Sequence, residues 1–462
     1  MCRQWLHRWG HSYSSWVCPL RAFASERQGW LKQLDVMNEE AVRGRVQEVE
    51  DIFVNICQVA PPSKRTLLFN TVLKACANSG DIGKASTWYE RMRQEHVNVN
   101  PKTFGKLIQA AAKQGHVETA VHWLNVFSQE FSIDLVAVSA VVDACAKARQ
   151  PSEAVKWFSS MHSAGLTPNR FTFTSVINAF AQVGLTSQSV YYFNLMESKR
   201  IQPDETSYNA IINAFAQAGN VDSAIKWSRT MEASALILDL ISYTSIIHAC
   251  AKGGRADDAA RWFANMETAR IHADAQSYTM VLNAYAKVHQ SEKAVGWYHR
   301  MVNAGVSAST YSYNCLINAY SRIGDSDKAL GWLERMGIAR LLPDIVSHNS
   351  IINAYAKALK PEHAAEWLSR MREQQSKPNI VSYSSAITAC SRARHTQLAL
   401  AEEIFSQMVQ DKLHPDERLI GVVSILFGAQ RLGELQLRLG LTAGGSGWGT
   451  VRGPSAHVRA QP

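Results

Sequence analysis

The sequence predicts an all-α fold, a right-handed α–α superhelical solenoid of 35-residue helix–turn–helix repeats. Three observations lead there. The phrase YNAIINAFAQAG at 208–219 returns with small edits as FTSVINAFAQVG at 173–184, YTMVLNAYAKVH at 278–289 and YNCLINAYSRIG at 313–324. Counted from four residues before the polar position that follows the aromatic, units begin at 66, 101, 135, 170, 205, 240, 275, 310, 345 and 380. Finally, each unit carries two apolar stripes that it cannot bury alone, so neighbours must stack.

The elements follow in chain order. Before Glu26 there is no acidic residue, while Arg3, Arg8 and Arg21 mix with Ser and Trp. Residues 1–30 are therefore expected to be a disordered transit peptide, and they lack the apolar core of a secretory signal. Residues 31–65 carry Val42, Val46, Val49, Phe53 and Cys57 in a degenerate second-helix pattern, the expected N-terminal capping repeat. Ten repeats fill 66–416. In the unit at 205, Tyr208, Ile211, Ile212 and Phe215 mark the first helix at i, i+3, i+4, i+7. A break at Gly219–Asn220 precedes the second stripe of Ala224, Trp227 and Met231. Prolines at the junctions (Pro168, Pro203, Pro343, Pro378, Pro415) stop the second helices. Capping helices are expected over 417–440, and the Gly/Ser-rich segment 441–462 reads as a disordered tail.

Two positions report on packing. The tenth residue is alanine in every unit, from Ala75 and Ala110 to Ala354 and Ala389, which demands close helix approach. The NA of the recurring phrase is accordingly read as fixed by packing. The twenty-third is nearly always a large aromatic, such as Trp88, Trp123, Trp227 and Trp332, and is expected in the core. Four of the eight cysteines (Cys76, Cys145, Cys250, Cys390) share a slot that elsewhere holds Ala, Phe or Tyr. They read as reduced packing residues, and the absence of CxxC excludes a zinc ribbon or thioredoxin-type site.

Composition narrows the function. Charged residues are 19% and apolar residues 46%, enough for a core, and the net charge of +9 leans toward an acidic partner. No run reaches the 18 apolar residues of a membrane span.

The fifth residue of each unit varies within a tiny alphabet: Asn70, Gly105, Ser139, Thr174, Asn209, Thr244, Thr279, Asn314, Asn349 and Ser384. The last residue does likewise: Asn100, Asp134, Asn169, Asp204, Asp239, Asp274, Ser309, Asp344, Asn379 and Asp416. Asp or Asn just before a helix is a good N-cap. Capping does not explain the paired variation at the fifth position, which is expected on an exposed concave surface. Two converging columns of short hydrogen-bonding groups suit discrimination among splayed base edges.

The unit xTYNxxI(N)A(Y)AKxGxxxxAxxWxxxMxxxxxxPD resembles the P-type pentatricopeptide repeat, in all ten units. Tetratricopeptide repeats differ in their 34-residue period and their W-x2-L-G-x2-Y opening. The resemblance implies an organellar protein binding single-stranded RNA at one base per repeat. It implies that the fifth and last residues read the base edge, and that the second sits between neighbouring bases. That second set is Val136, Phe171, Ile241, Tyr311, Val346 and Val381, with Lys102, Thr206 and Gln276 as departures. By the family's pairing, Asn–Asp suits U, Thr–Asp and Ser–Asp suit G, Ser–Asn suits A, and Asn–Asn suits a pyrimidine. The implied target is 5′-Y-?-A-G-U-G-?-U-Y-G-3′, with the Gly105/Asp134 and Thr279/Ser309 pairs unread.

Catalysis finds no support in the residues. His116-Val117-Glu118 matches half of a zinc deaminase motif, but no PCxxC follows. Neither a phosphate-binding loop nor a nucleophile elbow occurs. The expected reading is thus non-enzymatic, without cofactor or metal. The expected partners are an organellar transcript and proteins of RNA processing, with no membrane, and the chain is expected to be monomeric. Mitochondrion and chloroplast stay open, and the alternative is a protein-binding α-solenoid scaffold.

Overall fold

The computed structural model describes residues 30–374, 376–393 and 397–438. The transit peptide and tail expected at the two ends lie outside the described residues, apart from Trp30. Among the described residues the chain is helical, with no strand, and divides into two compact units. The first runs up to Ala218 and adds Asp222–Leu238; the second comprises Gly219–Val221 and the residues from Asp239 onward. Asn209 belongs to the first and Asp239 to the second.

Within each unit the chain folds as helical hairpins in sequence order. In the first, the repeat at 66 has helices Arg65–Ser79 and Ile82–Gln94, and the repeat at 101 has Pro101–Gln114 and Val117–Glu130. In the second, the repeat at 275 has Ala275–Lys287 and Ser291–Asn303, and the repeat at 310 has Thr310–Ile323 and Ser326–Ile338. The segment read as one degenerate second helix is itself a hairpin, of helices 30–43 and Val46–Val59. Val46, Val49 and Phe53 are buried there, while Val42 is exposed. At the other end Glu417–Arg438 is broken at Gly428, where φ is 72° and ψ 164°.

The tenth-position alanines have no exposed surface. Within each unit the first helices of neighbouring repeats pack on one another, and a longer side chain at so buried a site would overfill it. The second helices add an aromatic zipper. The residue after the Trp slot inserts between the Trp and the fourth-position aromatic of the next repeat. Phe193 meets Tyr208 at 5.0 Å and Trp227 at 5.1 Å; Phe263 meets Tyr278 at 4.6 Å and Trp297 at 4.9 Å. Such tilted and edge-on contacts add to area burial. Trp88, Trp123, Trp332 and Trp367 are buried, whereas Trp157, Trp227, Trp262 and Trp297 are half-buried, so the row is core only in part. All six described cysteines are free, and burial above all pushes the Cys76 and Cys250 thiols up to about 12.

Candidate RNA-binding groove

The last residue of every repeat caps the helix that follows. Asp344 Oδ1 accepts from Ser347 N at 2.9 Å, Asp274 from Ser277 N at 2.8 Å, and Asn100 from Thr103 N at 3.1 Å. Asp134, Asn169, Asp204, Asp239, Asn379 and Asp416 do the same at 2.8–3.0 Å. Ser309 does so loosely, at 3.4 Å. A cap fixes the rotamer of its own side chain, so the column is rigid before any ligand arrives.

Where the fifth residue is Asn70, Asn314 or Asn349, the structure ties it directly to the last. Asn314 Nδ2 donates to both carboxylate oxygens of Asp344 at 3.0 and 3.2 Å. Asn70 donates to Asn100 Oδ1, and Asn349 to Asn379 Oδ1, each at 3.2 Å. A third residue, missed in the sequence, completes the link: the hydroxyl at position three. Ser347 Oγ lies 2.6 Å from Asn314 Oδ1 and 2.9 Å from Asp344 Oδ1, and donates to one at a time. Thr103 and Ser382 occupy the same place in their repeats. Ser139 meets Thr172, Thr174 meets Ser207 and Thr279 meets Ser312 at 2.8–2.9 Å, hydroxyl to hydroxyl. Ser or Thr at position three in eight of ten units was the available signal.

The fifth-position residues are not exposed, contrary to expectation. Thr244 is 9% exposed, Asn314 5% and Ser139 3%. The helix stack closes over the first turn, and in the second unit Thr279 and Asn314 line the cavities left there. Thr244 turns its hydroxyl back to Leu240 O and Ile241 O at 2.8 and 3.0 Å. Gly105 leaves open space where a Cβ would stand, and Ser384 is half-buried. Asp344 shows the electrostatics: burial raises its pKa, but hydrogen bonds from Ser347 and Asn314 hold it below the usual carboxylate range. Asp204 follows suit, with Thr206, Ser207 and Arg170 outweighing burial.

What stands exposed is the second position. Val136, Phe171, Ile241, Tyr311, Val346 and Val381 are 53–67% exposed, and Leu67, overlooked in the sequence, is 45% exposed. A regular row of bare apolar side chains is costly in water and marks a contact surface. In the second unit the walls and floor meet. One cavity of about 340 Å³ has Asn314 and Asp344 with Tyr311 and Val346 among its lining. The neighbouring cavity, about 420 Å³, is lined by Thr279, Ser309, Gln276 and Tyr311. Each is a slot between consecutive repeats with a polar base; its second-position walls are Tyr311 and Val346 in the first, and Gln276 and Tyr311 in the second.

Two more columns escaped the sequence reading. At position nine, the N of NA, Asn178, Asn213, Asn283, Asn318 and Asn353 are only half-buried. Packing therefore fixes the alanine alone. At position thirteen the second unit carries Lys252, Lys287, Arg322, Lys357 and Arg392. Burial first, then Arg322 and Lys252, lowers the Lys287 pKa.

No group of three or more His, Cys, Asp or Glu able to hold a metal occurs among the described residues. His116 and Glu118 line a separate cavity at a helix turn.

Residues 61–226 match the family described as the pentacotripeptide-repeat region of PRORP, and 172–301 match a pentatricopeptide repeat-containing protein family. Residues 343–392 match the PPR repeat family, and 298–358 and 368–417 the pentatricopeptide repeat domain. This chain is a pentatricopeptide repeat protein. It resembles chloroplastic pentatricopeptide repeat-containing proteins of Arabidopsis thaliana, one 32% identical over 120 residues and another 34% identical over 82. Those stretches are 26% and 17% of this chain, and 14% and 9% of the relatives' lengths. Among solved structures, the pentatricopeptide repeat protein PPR10 in complex with an 18-nt psaJ RNA element aligns over 87% of this chain and 58% of that one. Its TM-score is 0.68 at 22% identity, a likeness of fold.

Proposed function

We propose that this pentatricopeptide repeat protein binds single-stranded RNA sequence-specifically, one base per repeat. In this reading it acts in organellar RNA processing, stabilisation or translation by occupying a site rather than by chemistry. The observation that carries it is the slot between Tyr311 and Val346, apolar walls over the Asn314–Asp344 pair. Such walls stack any base, and a pair combining amide and carboxylate discriminates among base edges. The position-thirteen cations supply the phosphate contacts. The chloroplastic relatives support an organellar site of action, mitochondrion or chloroplast.

The test is a base swap at one repeat. Thr244 pairs with Asp274, which by family pairing prefers G; Thr244→Asn creates the pair found natively at Asn314 and Asp344. Asn fits this buried position, because Asn314 occupies its equivalent at 5% exposure, so stability changes by about 1 kcal/mol at most. Two RNAs differing only at the sixth predicted base, G or U, are competed at fixed salt. The wild type should favour G and the variant U, a switch of about 1–3 kcal/mol. Equal preference by two folded proteins refutes base reading at position five.

A further inference from the structure

We infer that the position-nine asparagines form a sugar-reading column that selects RNA over DNA at the nucleotides they face, an inference that rests on the RNA-binding reading. Position nine lies on the same face of the first helix as positions two, five and thirteen, each about one turn from the next. Five reaches the slot floor and thirteen is basic. Between the group that meets a base edge and the group that meets a phosphate stands the group that meets the ribose. In the second unit that group is an amide in consecutive repeats, Asn283, Asn318 and Asn353. Asn283 lines both cavities and Asn318 lines the smaller, so the amides are sited at the slots themselves. Asn283 Nδ2 donates only a long 3.4 Å bond to Tyr311 Oη, whereas Asn353 Nδ2 is held by Ser321 Oγ at 3.0 Å. Tyr311 forms a slot wall, so the Asn283 contact joins the amide to the stacking surface.

The chemistry fits one ligand group best. A carboxamide both donates and accepts, and so does a 2′-hydroxyl, whereas phosphate oxygens only accept. The 2′-hydroxyl is also the group that separates RNA from DNA. Packing does not account for the asparagine, since its neighbour Ala319 is fully buried while Asn318 is half-buried.

The experiment scans ribose. Oligonucleotides of the form 5′-Y-N-A-G-U-G-N-U-Y-G-3′ are made all-ribose and with one 2′-deoxy residue at each position in turn. They are bound to the wild type and to Asn318→Leu, which keeps size and removes hydrogen bonding, with helicity and melting checked for both. The wild type should lose about three- to ten-fold at the eighth position, one hydrogen bond's worth. Asn318→Leu should bind the all-ribose oligonucleotide correspondingly more weakly and lose its penalty at that position only. Asn318→Gln, which retains the amide, should recover part of it. A folded Asn318→Leu that keeps the full wild-type penalty overturns the sugar-reading column while leaving RNA binding intact, as does a wild type indifferent to every deoxy substitution. A wild type that binds no oligonucleotide overturns the RNA-binding reading and this inference with it.

Discussion

The two units share one fold and differ in what they offer a polyanion. In the first, position thirteen reads Asn78, Lys113, Lys147, Gln182 and Gln217; in the second, Lys252, Lys287, Arg322, Lys357 and Arg392. Lys147 is further neutralised by Asp143, 2.5 Å away at position nine. The repeat interfaces differ too. In the second unit Tyr285 Oη donates to Asp257 at 3.0 Å beneath Lys293, and Tyr320 donates to Glu292 at 3.2 Å beneath Lys328. The equivalent slots of the first unit hold Cys76, Ala111, Cys145, Phe180 and Phe215, and the rest of the second unit's hold Cys250, Tyr355 and Cys390. A repeat fold needs the alanine, the zipper and the caps; charge and latches are free to vary between repeats. If the proposed RNA binding holds, the second unit should be the stronger grip on a phosphate backbone.

The largest effect should come from removing that grip. Changing the five position-thirteen cations of the second unit to Gln should lower the salt slope of RNA binding by about 3–4, at about 0.7 per phosphate contact. At 0.15 M salt this is on the order of a thousand-fold in affinity. The matching change in the first unit, Lys113→Gln with Lys147→Gln, should lower the slope by about 1. Equal losses from the two sets, measured by titration at several salt concentrations, would erase the distinction.

Packing should not distinguish the units. Ala144→Leu in the first and Ala319→Leu in the second each overfill a site with no exposed surface, at a cost of about 1–3 kcal/mol. Chemical denaturation should find the two alike. A tolerated leucine in either would show that the helices there are looser than their burial implies.

The smallest effect belongs to the latches. Hydrogen bonds from Lys293 and Tyr285 hold Asp257 below the usual carboxylate range, and those from Lys328 and Tyr320 do the same for Glu292. Folded values below the unfolded ones mean that the contribution is present above the ordinary carboxylate pKa. It fades as pH falls through the lowered values. Tyr285→Phe with Tyr320→Phe should lower the melting temperature slightly at neutral pH and converge with the wild type in acid, flattening part of the acid limb. An unaltered acid limb would show that the latches contribute nothing.

Much of this was legible in the sequence. The helix pairs follow from apolar spacing, and the invariant alanine announces close packing, because both are local consequences of period and size. The exposed second position was legible through the family resemblance. The burial of position five was not, since it depends on how the next repeat's Ser347 or Thr103 closes over it. The hydroxyl column, the amides of NA and the cations at thirteen were also missed. Each is unremarkable within one repeat and acquires meaning only when neighbouring first helices stand side by side. The capping role of the last column was visible in the sequence; the hydrogen bonds show that the cap holds a side chain which, at Asp344, also lines a slot.

The most direct test of the account is selection of bound RNAs from a random pool by the purified protein, followed by sequencing. One enriched motif of the form 5′-Y-?-A-G-U-G-?-U-Y-G-3′ is expected, with no base assigned to the second and seventh positions. Enrichment without a shared sequence, or a motif whose G and U positions bear no relation to the order of the fifth-and-last pairs, would contradict it.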